Sequence, residues 1–235
     1  MTFDSNRRAG HEPEGPSRGR ISPEARSAEA SPVSALRLCM MLVALVAVPA
    51  FAQEAPDALV KRVSQEALSI IKTDARVQAG DQTHIRDLIE AKIAPHFDMD
   101  RMTALAAGRA YRQATPEQRK RLSDEFKSLL IRTYANALNQ YRDQTISYEP
   151  LRAEPNANEV TVRTQVNRPG QTPVSIDYSM EKTPSGWKAY DVIVGGVSLV
   201  TNYRDEFTQQ VRQGGIDGLI KALVAKNAAP PPAPK

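Results

Sequence analysis

The chain has 235 residues, 41% of them hydrophobic, which allows one substantial domain with an ordinary core. Its formal net charge of +4 falls to +3 once the first 52 residues, with five acids and six bases, are set aside, and that balance does not point to a nucleic-acid partner. A single cysteine, Cys39, leaves neither an internal disulfide nor a thiolate cluster for a metal.

Residues 1–32 are polar and rich in Arg, Pro, Gly and Ser, and are read as untranslated or disordered, with translation starting at Val33. After Arg37 come fifteen uncharged residues, 38–52, that end in Ala50-Phe51-Ala52. A bilayer span takes about 20 residues, so this run reads as the apolar part of a secretory signal over 33–52, cleaved after Ala52. Cys39 lies inside that signal. Residues 53–226 are expected to form one domain, and 227–235 a disordered Pro-rich tail.

The domain opens with helical patterns. Over 55–77 the apolar stripe is Leu59 or Val60, Val63, Ala67, Ile70 and Ile71; Gly80 punctuates, and Asp81 starts a second helix with Ile85, Leu88, Ile89 and Ile93 on one side. Pro95 ends it, and Met99, Met102, Leu105 and Ala106 mark a short third helix that stops near Gly108. Thr115-Pro116-Glu117-Gln118 is a strong helix start, with Thr as N-cap, Pro at the first position and Gln three residues after the cap. The longest helix runs from there to about 142, with a stripe through Leu122, Phe126, Leu129, Leu130, Tyr134, Leu138 and Tyr141 broad enough to cover a sheet.

Strand patterns occupy 144–149, 159–168, 174–182 and 186–194, separated by turns such as Pro169-Gly170 and 183–186. In the last of them Trp187, Ala189, Asp191 and Ile193 fall on one side and Tyr190, Val192 and Val194 on the other, so the strand is apolar on both faces. At Gly195-Gly196 the rhythm changes to that of a helix capped by Ser198, with Leu199, Tyr203, Phe207 and Val211 in one stripe; Gly214-Gly215 breaks it before a last short helix. The expected fold is α+β: a four-stranded antiparallel meander covered by helices.

Enzymatic motifs are missing. There is no phosphate loop, and Gly196-Val197-Ser198 lacks the second glycine of a nucleophile elbow, so Ser198 is read as a cap. His84 is expected to be solvated and His96 to bond free carbonyls at a helix end; without thiols or an acid triad they make a poor metal site. Asp191, on a covered strand, needs a partner. Either it accepts N–H bonds or pairs with an arginine to lock the strand-to-helix turn, or it acts as a base with Tyr190 as acid.

The stretch from Trp187 to Phe207, with W-K-A-Y-D-V-I-V-G-G-V-S before a helix, resembles the signature of the toluene-tolerance or MlaC family of periplasmic phospholipid shuttles. Pro95-His-Phe-Asp98 with Met102, Gly108-Arg-Ala-Tyr111-Arg112, 114–118 and the aromatic run Phe126, Tyr134, Tyr141 are similar to further family blocks, although Tyr111 stands where the family more often has Trp. The resemblance covers about 55–223. It implies a periplasmic monomer without cofactor, whose cargo is a glycerophospholipid in a lipid-sized apolar cavity between sheet and helices. It also implies exchange with an inner-membrane ABC transporter complex bearing an MCE-type subunit and with an outer-membrane lipoprotein and porin complex, maintaining outer-membrane lipid asymmetry. On that implication the tails are expected against Leu105, Leu130, Tyr134 and Leu138 of the helices and Val162, Val166, Ile176, Tyr178, Ile193 and Val197 of the sheet. Trp187, Asp191, Gly196 and Ser198 are expected to be structural. The competing readings are a periplasmic isomerase or hydrolase using Asp191 and Tyr190, and an interaction module without ligand.

Overall fold

The computed structural model describes residues 53–138 and 144–229, all within the second of the two units into which the chain divides, Phe51–Lys235. The expected secretory signal, the polar stretch before it, Tyr141 and residues 230–235 lie outside the described residues, as do the side chains of 136–138, Leu138 among them.

Helix α1, Pro56–Thr73, starts on its proline and stops because Asp74 turns extended and caps a second helix, α2, Ala75–Gln78, by accepting from the N–H groups of Arg76 and Val77. The single helix expected over 55–77 is therefore two. Asp81 caps α3, Gln82–Lys92, in the same way. A 3-10 turn, Ala94–His96, leads to Asp98, which caps α4, Met99–Ala107. Short α5, Arg109–Gln113, precedes α6, Pro116–Leu138. There Thr115 and Gln118 bond reciprocally, each side chain accepting from the other's N–H, as the sequence pattern requires.

Among the described residues the sheet has five strands where four were expected: β1 Thr145–Tyr148, β2 Glu159–Asn167, β3 Val174–Thr183, β4 Gly186–Val194 and β5 Val197–Ser198. All neighbours are antiparallel, in the order of the chain. The fifth strand arises at Gly195-Gly196, which forms a two-residue hairpin rather than a helix start. Both glycines have positive φ, 57° and 84°, as the tight hairpin turn demands. Ser198 then caps α7, Leu199–Asn202, and α8, Arg204–Ala228, comes next with a bend at Gly215. This last helix extends past the expected boundary at 226 because Asn227 donates to Glu125 of α6 at 2.9 Å.

Three apolar clusters hold these elements. The largest joins α4, α6, α7 and α8 through Met102, Leu122, Leu129, Leu130, Val200, Leu219 and Leu223 around the rings of Phe126, Tyr203 and Phe207. Phe126 meets the other two rings edge-on with centroids 5.2 and 5.1 Å away. The long helix α6 thus serves the helical layer, because α8 claims the stripe that was expected to cover the sheet. Its place on the sheet is taken by α1, whose Leu59 and Val60 pack with Val162, Met180 and Ala189. A third cluster, Ile71, Val77, Ile85 and Ala135, ties α1, α2 and α3 to α6.

Candidate functional site

Paired residues of adjacent strands share a face, and the register gathers Ile146, Val166, Thr164, Ile176, Tyr178, Met180, Val192 and Val194 on one face of the sheet. Strict alternation would have put Ala189 opposite to Val192, but the pairing slips between Ser179 and Met180, leaving Tyr190 as an extra residue in β4. A bulge of this kind reverses the alternation beyond it. Ala189, Val192 and Val194 consequently share the apolar face, while Tyr190, Asp191 and Ile193 turn to the other.

Between that face and α1 lies a cavity of about 600 Å³. Its walls are Leu59, Val60, Val63, Ala67, Leu68 and Ile71 of α1, Ile93, His96 and Phe97, Tyr134 of α6, and the apolar residues of β1, β3 and β4. Val166 lines it from β2, and Val197, Leu199 and Asn202 from the hairpin and α7. The volume is within the roughly 300–1,000 Å³ of sites that enclose small molecules. None of the described lining residues is an Asp, Glu, Lys or Arg.

The few polar side chains on the wall are held neutral. Burial, reinforced by the nearby Tyr203 hydroxyl, pushes the Tyr134 phenol up to about 12. His96 sits below its ordinary value because burial and then the positive charge of Arg62 disfavour the imidazolium, so it is uncharged at neutral pH. Ser64 shares a hydrogen bond of 2.7 Å with Tyr148, tying α1 to β1. Such a space welcomes alkyl groups and disfavours an ion. The open side is marked by Val197, 59% exposed although it lines the cavity.

Of the residues expected against the tails, Tyr134, Val166, Ile176, Tyr178 and Val197 come together on this wall. The others do not. Leu130 is buried in the helical core, Leu105 is 37% exposed on α4, and Val162 is packed beneath α1. Ile193 is on the other face, beyond the bulge, paired to Asp177 and Ser198. Missed were the α1 stripe, Phe97 and Val192. The stripe is visible in the sequence, but nothing local says which helix lies on the sheet.

Asp191 locks the strand-to-helix turn. One oxygen accepts from the N–H of Val192 at 2.8 Å and of Val200 at 3.2 Å, and the other from the Ser198 hydroxyl at 2.5 Å. Ser198 in turn accepts from the Thr201 N–H at 3.0 Å, and Trp187 packs on the α1–sheet cluster. His84, expected in solvent, is half-buried with its Nε2 2.8 Å from Asp74. Among the described residues no group of His, Cys, Asp and Glu could hold a metal ion, and no helix is long and apolar enough to cross a membrane.

The MlaC protein family model matches residues 61–225. The chain is similar to toluene tolerance protein ttg2D of Pseudomonas putida, 27% identical over 180 residues that cover 75% of this chain and 83% of that protein. It is also similar to the intermembrane phospholipid transport system binding protein MlaC of Haemophilus influenzae, 24% identical over 79% of this chain and 88% of the relative. Its fold matches the phospholipid-binding protein of Ralstonia solanacearum, solved in complex with a phospholipid, with a TM-score of 0.70 and 42% identity over 75% of this chain and 98% of the other.

Proposed function

The chain belongs to the MlaC family, and from that premise we propose that it is a lipid carrier, which holds a glycerophospholipid by its acyl chains in the cavity between α1 and the sheet. The observation that carries this reading is the apolar wall, with no Asp, Glu, Lys or Arg among its described residues, around about 600 Å³ of space open beside Val197. A relative 42% identical, solved with a phospholipid bound, supports it. Burying a sixteen-carbon chain from water is worth on the order of 12 kcal/mol, at about 0.8 per methylene. A bilayer offers the same, so the cavity has only to match the membrane for exchange to proceed in either direction.

The carrier works in the periplasm as a monomer, without cofactor, after removal of the signal over 33–52. It exchanges cargo with an inner-membrane ABC transporter complex bearing an MCE-type subunit and with an outer-membrane lipoprotein and porin complex, and so maintains outer-membrane lipid asymmetry. In this reading the chain is a carrier and not an enzyme, which is supported by Asp191 accepting hydrogen bonds within the turn through both oxygens and by the Tyr190 hydroxyl donating to Glu159.

Organic extraction of the purified protein and lipid mass spectrometry of the extract test the reading. Diacyl glycerophospholipid in near-stoichiometric amount is the expected result. A protein that yields no lipid, and turns over a substrate only while Asp191 is intact, would instead be the enzyme.

A further inference from the structure

The face of the sheet turned away from the cavity carries a charged cluster that the cargo does not touch. Glu159 of β2 and Glu181 of β3 stand directly opposite one another, an arrangement in which like charges repel. Arg101 of α4 neutralises both from the helical layer: one guanidinium nitrogen is 2.5 Å from Glu181 and the other 2.7 Å from Glu159. The same guanidinium lies 3.6 Å from the centroid of the Tyr190 ring, whose hydroxyl donates to Glu159 at 3.1 Å. Tyr190 is the extra residue of the β4 bulge, and bulges re-aim side chains in this way. A planar, stacked, doubly paired arginine is a firm anchor that lysine cannot copy.

Three residues before Arg101, the N–H of Asp98 donates to the carbonyl of Ala189 at 2.8 Å, and Phe97 bridges the same residue in parallel. The segment 97–101 is therefore fastened to β4 twice, by backbone just before the bulge and by Arg101 at it. Phe97 lines the cavity and, alone among the described partly buried residues, packs on both the helical core and the α1–sheet cluster. It lines the cavity beside Ala189. The exposed rim at Val197 pairs with Val194, and Val194 and Ala189 face Ile176 and Met180, four residues apart on β3, or about 13 Å at the usual rise per residue. A tail that entered at the rim and ran along β4 would reach Phe97 at the Ala189 end of the wall.

We propose that Arg101 is a positioning residue: it holds Phe97 as the end wall of the cavity, and that wall sets the longest acyl chain the protein accepts. The proposal rests on the carrier reading. A chain too long for the closed end leaves methylenes unburied that a bilayer would cover, so two surplus methylenes correspond to roughly fifteen-fold discrimination.

The test uses the full chain as wild type, R101Q, R101K and F97A. Each is equilibrated with vesicles of equimolar phosphatidylglycerols that differ only in acyl length, and the bound lipid is extracted and counted by mass spectrometry. Wild type is expected to show a sharp upper cutoff, falling about fifteen-fold for each two methylenes beyond it. R101Q and F97A are expected to flatten the cutoff towards parity, and R101K to restore it in part. Near-UV circular dichroism reports whether each variant is folded. If R101Q is not, E181Q, which leaves the arginine with one carboxylate, takes its place and is expected to flatten the cutoff. An unchanged cutoff in the folded arginine or glutamate variant, or no cutoff in wild type, overturns the proposal and leaves the carrier reading standing. Absence of bound lipid in every protein overturns both.

Discussion

At the scale of single residues, the turn after β4 depends on one carboxylate. Asp191 meets two N–H donors and a hydroxyl with its two oxygens, all inside 3.2 Å. Asp191→Asn replaces one acceptor with a donor facing other donors, and hydrogen bonds to a charged group contribute about 1.5–3 kcal/mol. Urea denaturation should show a loss of that order, while lipid uptake from vesicles persists because Asp191 is not on the cavity wall. Loss of uptake at unchanged stability would point to chemistry at this residue instead. Asp74 and Asp81 give a second expectation. The His84 ring lowers the Asp74 carboxyl most, then the Val77 N–H, and the His84 N–H and then Arg76 lower Asp81, both from 3.8. A depressed folded value means stability that is present above 3.8 and lost as pH falls through the folded values. Acid titration of thermal stability should therefore drop below about pH 4, less steeply in Asp74→Asn. The Thr115 and Ser198 caps are legible in the sequence, since each meets its N–H three residues on. Asp191's bonds to Ser198 and Val200, seven and nine residues away across a hairpin, are not.

At the scale of the element, β4 decides which side chains meet the cavity. Its alternation names both faces apolar, and it is the bulge at Tyr190 that selects Ala189, Val192 and Val194 for the wall. No residue type in W-K-A-Y-D-V-I-V marks a bulge, so period-two reading fails there and puts Ile193 on the wrong face. The Gly195-Gly196 pair is visible, but reads equally as a helix start or a hairpin until Val194 is seen to pair with Val197. Likewise, both α1 and α6 have apolar stripes, and only the fold shows that α8 occupies one of them. The face assignment is open to a paired substitution. Val192→Glu places a carboxylate on the wall of the cavity proposed for the acyl chains, where burial of a charge costs several kcal/mol, and should lower bound lipid by at least about tenfold. Ile193→Glu should leave lipid binding near wild type, because its neighbours across the sheet are Asp177 and Ser198. Equal loss in both, measured by extraction and mass spectrometry of folded protein, would mean that the two faces are not distinct in this way.

At the scale of the molecule, on the carrier reading, a wall with no charged side chain among its described residues explains how a tightly held cargo could still be exchanged. Such a carrier would have to shield tails whose exposure costs on the order of 12 kcal/mol per sixteen-carbon chain, yet would gain nothing over a bilayer that shields them equally well. Escape through water is therefore slow, whereas escape into an apposed membrane or partner is nearly level, provided the tails never leave apolar surroundings. The rim supplies that continuity, since Val197 belongs to the cavity wall and is 59% exposed. The consequence is kinetic. If transfer runs through contact, the rate at which lipid-loaded protein delivers fluorescent phosphatidylglycerol to acceptor vesicles should rise in proportion to vesicle concentration. At equilibrium the label should divide according to the relative amounts of protein and bilayer, without nucleotide. A rate that is independent of vesicle concentration would mean that the cargo first desorbs into water, and the apolar rim would then have no part in delivery.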